Sequence, residues 1–118
     1  MDAIAEKAQE IGRLVARTDE YQALKRANER ISGDRDAVTL LNRLSTLEGE
    51  LTSLLRSGSE PTPEQQEEYE SLLEKLQAMS AYQGVVAAQS NFDRVMMRIN
   101  EEIARGIEAG ENSRIILP

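Results

Sequence analysis

Two kinds of residue in this 118-residue chain could do chemistry: clustered glutamates and paired arginines. Glu60, Glu64, Glu67, Glu68, Glu70 and Glu74 fall close together, with Lys75 the one cation among them. Such a cluster could hold a divalent cation weakly or dock a basic partner. Acid–base catalysis asks for a carboxyl positioned at a reacting group with its pKa tuned by burial, whereas these glutamates flank an apolar stripe without entering it. Acids at the start of a helix also favour its dipole and keep a surface soluble, and we read them as a solvated face. Arg13 and Arg17, Arg26 and Arg30, and Arg94 and Arg98 are each one helical turn apart. They could touch RNA phosphates, but 14 Lys plus Arg against 21 Asp plus Glu leave a net charge of −7. That balance works against a polyanionic backbone or an anionic membrane, so the arginines are read as partners of the surplus acids, and no specific nucleic-acid binding is expected.

What the chain lacks narrows the chemistry further. It has no Cys, His or Trp, which removes disulfides, thiol and imidazole nucleophiles, Cys/His zinc sites and cysteine-held iron–sulfur clusters. Carboxylate-bridged di-iron bundles need Glu-x-x-His pairs, so that site is excluded as well. No catalytic, cofactor-binding or metal-binding residue is assigned, and no cofactor is expected.

The elements that must carry any function read as helices throughout. The three prolines lie at positions 61, 63 and 118, leaving residues 2–60 and 64–117 free of proline breaks. Asp2 is placed as the cap of a first helix with Ile4, Ala8, Ile11, Leu14 and Val15 on one face. The phase is lost at Arg17-Thr18-Asp19-Glu20, which has the form of a new helix start, though a continuous helix with a stutter fits too. Tyr21, Leu24, Ala27 and Ile31 make the next stripe, ending at Ser32-Gly33 on a left-handed glycine. After Asp34, residues Ala37, Leu40, Leu44, Leu47, Leu51 and Leu54 alternate steps of three and four, a coiled-coil-like seam, until Ser57-Gly58.

Thr62-Pro63-Glu64-Gln65 reads as a capping box with proline at the first helical position. It starts a helix to about Met79 with Tyr69, Leu72, Leu73, Leu76 and Met79 inward. Ser80-Ala81-Tyr82-Gln83 repeats the capping signature and predicts a bend. The last helix carries Tyr82, Val85, Gln89, Phe92, Met96, Ile99, Ile103 and Gly106 in phase and is placed as ending before Gly110. Gly84 is read as permitting close packing, Gly106-x-x-x-Gly110 as a weak signal of the same kind, and Gln89 as needing a polar partner or water.

The expected architecture is therefore all-α, an antiparallel bundle of four to five helices with long, coiled-coil-like members. Residues 1–110 are taken as one helical domain and 111–118 as a flexible tail. One seam (Leu40, Leu44, Leu47, Leu51) and another (Phe92, Met96, Ile99, Ile103) are the candidate interface and core residues, one closing the protomer and the other a homodimer, with the assignment between them open. A domain this small removes only about two-thirds of its unfolded surface from water, which favours a dimer or higher homo-oligomer. No apolar run is long enough to cross a bilayer, and the N-terminus lacks a secretory signal, so a cytoplasmic location is expected.

Several stretches together resemble the YlbF/YmcA family of small bacterial helical proteins, including its YheA-like members. They are Thr18-Asp19-Glu20-Tyr21 with Lys25 and Ala27, Asp36-Ala37 with Leu40-Leu41, the Pro61-Thr62 loop, and Ala88-Gln89-x-x-Phe92 followed by Ile99-Asn100 and Ile103. The family's common Asn-Pro before the last helix is Met79-Ser80 here. The resemblance implies a non-catalytic regulator of competence, sporulation or biofilm development, acting by protein–protein interaction in a complex that directs the endoribonuclease RNase Y. Some members of that complex are cysteine-dependent iron–sulfur proteins; a chain without cysteine is similar instead to the cofactor-free members. A prefoldin-like structural or chaperone module is the alternative.

Overall fold

The computed structural model describes residues 1–116, and side-chain surroundings for residues 1–112. Five helices follow in order: α1 (Asp2–Ala16), α2 (Asp19–Ser32), α3 (Arg35–Arg56), α4 (Pro63–Gln77) and α5 (Ser80–Ile116), and no strand occurs among the described residues. The chain is an all-α helical bundle protein. Its contacts group into two compact units, Met1–Leu24 with Ala88–Pro118, and Lys25–Ala87.

The second unit holds most of the buried core. The α3 seam closes on α4: Leu44, Leu47, Leu72 and Leu76 form one buried cluster, with Leu40, Leu41, Leu51, Tyr69, Leu73, Met79 and Tyr82 packed around it. A second cluster joins Ile31, Ala37 and Ala81, and Leu41, Met79, Tyr82 and Val85 pack against it. Leu47 and Leu76 are the largest fully buried side chains. The alternating three–four spacing is what brings these leucines onto one stripe.

The turns that shape this unit are encoded locally. Asp34 accepts a hydrogen bond from the Ala37 amide at 3.1 Å and caps α3. At the other end, Gly58 takes φ +77°, its amide donates to the Leu55 carbonyl, and the Ser59 amide donates to Leu54. That pattern is a Schellman close, which glycine adopts without a Cβ penalty. The expected capping box at α4 is present: Thr62 Oγ1 accepts from the Gln65 amide at 3.1 Å, and the Thr62 amide donates to Gln65 Oε1 at 2.9 Å.

Five expectations need correction. Asp2 is the first residue of α1 and makes no cap bond; Met1 occupies the cap position. Gly33 ends α2 without entering the left-handed region, because Gly58 is the only positive-φ residue among those described. Asp34 caps α3 at once, and the amides of Gly33 and Asp34 still bond back to Glu29 and Ile31. Ser80 does not cap α5 but is its first residue, and its hydroxyl accepts from Arg30 Nη2 at 3.0 Å. α5 continues through Gly110 to Ile116, about 55 Å at 1.5 Å per residue, since an internal glycine weakens a helix without ending it. The segment assigned to a tail is thus helical as far as Ile116, and residues 117–118 lie outside those described. Finally, a Cβ built on Gly84, Gly106 or Gly110 meets nothing within 4 Å, so none of them serves a close approach within the protomer. Gly84→Ala is accordingly expected to raise stability by about 1 kcal/mol, read as a higher denaturant midpoint with an unchanged slope.

The acidic start of α4 is tied down at one point. Arg43 grips Glu68 with two guanidinium nitrogens, Nε donating to Oε1 at 2.5 Å and Nη2 to Oε2 at 2.9 Å. The hydrogen bond from Arg43, with its charge, lowers the Glu68 pKa against a smaller opposing effect of desolvation. A carboxyl with a lowered folded-state pKa adds stability that is present above its unfolded pKa and lost as pH falls through the folded value. Wild type should therefore exceed Glu68→Gln in stability at neutral pH, and denaturant titrations of the two should converge in acid.

Candidate interaction surface

The first unit is built differently. α1 has no buried residue, although its apolar face is the amphipathic one read from the sequence. Ile11 and Val15 are half-buried, while Ile4 and Leu14 stay exposed. Ala3, Ile4, Lys7, Ala8 and Ile11 of α1 line a shallow groove with Ile103 of α5.

The join between α1 and α2 falls at Thr18, without glycine or proline. Thr18 Oγ1 donates to the Val15 carbonyl at 2.7 Å and accepts from the Tyr21 amide at 3.1 Å. Gln22 reaches back to the Ala16 carbonyl at 2.8 Å, satisfying an acceptor left open at the end of α1. In the second unit the join between α4 and α5 uses the same device, Gln83 to the Gln77 carbonyl at 2.9 Å. The capping signature at Ser80 predicts a bend at the second join, whereas at Thr18 a break and a continuous helix both fit the sequence, and neither clamp is anticipated. The signal was there: a Tyr-Gln pair follows each join, Tyr21-Gln22 and Tyr82-Gln83.

The Thr18 join sets the start of α2 beside α5. Tyr21 and Phe92 have ring centroids 5.7 Å apart and planes inclined at 59°, a tilted pair of the favoured kind. Next to it lies an open groove of about 580 Å³ lined by Asp19, Glu20 and Ala23 on α2 and by Asn91, Arg94, Val95, Arg98 and Ile99 on α5. Arg94 donates to Asn91 at 2.8 Å, and Arg98 lies 3.6 Å from Glu102, which also pairs with Arg105. Among the described residues no ion pair joins Asp19 or Glu20 to either arginine of the groove. Gln89 finds its partner in Asp93, 2.9 Å away on the helix surface.

The two leucine-rich and mixed seams therefore sit in different environments. Leu44 and Leu47 are buried, with Leu40 and Leu51 half-buried beside them. In the other seam Phe92 and Ile99 are half-buried, while Met96 and Ile103 are exposed. Phe92 is thus an anchor at a surface and not the centre of a core. Farther along α5, Met97 and Ile107 are 62% and 66% exposed. Among the described residues no three acidic side chains converge to hold a metal ion, and no helix is long and apolar enough to cross a membrane.

Residues 4–108 match the family described as control of competence regulator ComK, YlbF/YmcA. The chain belongs to the YlbF/YmcA family. Relatives carry the name UPF0342 protein. The one from Streptococcus gordonii is 35% identical over an alignment covering 66% of this chain and 70% of the relative. That from Streptococcus mutans is 28% identical, covering 83% and 93% respectively, and that from Leuconostoc mesenteroides is 20% identical, covering 88% and 89%. The match extends over both compact units, and YlbF/YmcA membership carries a regulatory role with it.

Proposed function

We propose that this chain is a non-catalytic cytoplasmic regulator that works as a homodimer and binds a protein partner, an RNase Y-type complex, so as to direct RNA processing in competence, sporulation or biofilm control. The observation that supports this reading is the apolar surface of α5 and α1. Ile4, Ala8 and Ile11 meet Ile103 in one apolar groove, Met97, Ile107 and Leu14 are also more than half exposed, and exposed apolar surface gathered in this way marks sites of protein interaction. Met97→Asp and Ile107→Asp change side chains that bear no load in the protomer core. Purified wild type is expected to bind purified RNase Y in a direct binding assay, and either variant to bind about tenfold more weakly. Equal binding by wild type and both variants would remove this surface from the account, and no binding by wild type would remove the partner.

The same exposed side chains favour one other reading, a prefoldin-like module that holds unfolded clients. Suppression of aggregation of an unrelated unfolded protein, lost in Met97→Asp, would decide for it.

A further inference from the structure

We infer that the α2–α5 groove is the seat of a second copy of this chain, held by reciprocal pairing of Asp19 and Glu20 of one protomer with Arg94 and Arg98 of the other. The inference rests on the homodimer reading above and assigns its surface. A chain of net charge −7 repels its own copy, and a patch where both signs are present offsets that repulsion. The groove supplies one. Its α2 wall carries two acids, its α5 wall carries two arginines, and Ala23, Val95 and Ile99 contribute apolar surface for burial. The two walls do not neutralise each other within the protomer, since among the described residues no ion pair joins them. A two-fold axis makes every contact occur twice, residue i on j and j on i. A surface bearing matched opposite charges is therefore complementary to itself, as an all-acidic face such as the start of α4 is not. Asp19 and Glu20 also lie in the first turn of α2, where they favour the helix dipole; Arg94 and Arg98 have Asn91 and Glu102 as neighbours along α5, both contacts exposed and on one helix, so the arginines stay available to an acid from outside the protomer.

The test is charge reversal with complementation, read by sedimentation equilibrium. Arg94→Glu with Arg98→Glu, and separately Asp19→Arg with Glu20→Arg, should each weaken the dimer about 100-fold, because like charges then meet across the axis. An equimolar mixture of the two variants should return to twice 13.2 kDa, and so should the chain carrying all four changes. Helicity by circular dichroism checks that each variant folds, and recovery in the mixture is itself evidence of folded partners. If either reversal leaves the wild-type dimer intact, or if the mixture stays monomeric, the groove is not the seat. A wild type already at 13.2 kDa would refute the dimer reading itself and the seat with it.

Discussion

Leu47→Ala should lower the unfolding free energy by about 3 to 4 kcal/mol, the cost of lost transfer energy plus a cavity that rigid neighbours cannot fill. Leu47 is 0% exposed and sits in the cluster with Leu44, Leu72 and Leu76. The faces it touches belong to two helices joined by a capped loop, so collapse around the void is restricted. Urea titration followed by circular dichroism measures the change. Leu76→Ala should cost a similar amount, and the double variant less than the sum, because neighbours in one cluster share a cavity. A loss below about 1 kcal/mol would mean that the α3–α4 core can repack, as loosely packed cores do.

Phe92→Ala should cost about 2 kcal/mol, less than the 3–5 kcal/mol of a fully buried phenylalanine, because the ring is only half-buried. Part of that loss belongs to the Tyr21 ring, 5.7 Å away. A double-mutant cycle with Tyr21→Leu should return a coupling of about 1 kcal/mol. Because the pair ties the start of α2 to α5 beside the charged groove, the variant should also weaken self-association. Unchanged melting would show that the ring contributes nothing to the first unit.

How much of this was legible beforehand differs between the two units. The Leu40 to Leu54 alternation, the Thr62–Gln65 capping box and the Ser57-Gly58 stop are all local signals, and helix positions followed from them. Where one residue type serves two geometries, the local pattern does not decide between them. Gly33 looks like Gly58 in sequence, yet only Gly58 adopts a positive φ, because Asp34 starts the next helix before a left-handed turn is needed. Ser80 has the capping spacing but accepts a hydrogen bond from Arg30, fifty residues earlier in the chain, a partner no local pattern announces. Gly110 suggested an end to α5, and the helix passes through it.

The candidate surface was half legible. Periodicity placed Phe92, Met96, Ile99 and Ile103 on one stripe. It does not reveal that Met96 and Ile103 remain exposed in the protomer while Leu44 and Leu47 are buried, since both stripes have the same spacing and comparable hydrophobicity. Nor does it place Asp19 and Glu20 opposite Arg94 and Arg98, a juxtaposition that depends on the Thr18 join and the Tyr21–Phe92 contact.

Sedimentation equilibrium of the wild-type chain at micromolar concentration tests most directly whether this regulator works through a shared helix surface. The account predicts a mass of twice 13.2 kDa, falling toward the monomer as salt screens the groove charges. A single species at 13.2 kDa, independent of concentration and salt, would contradict it.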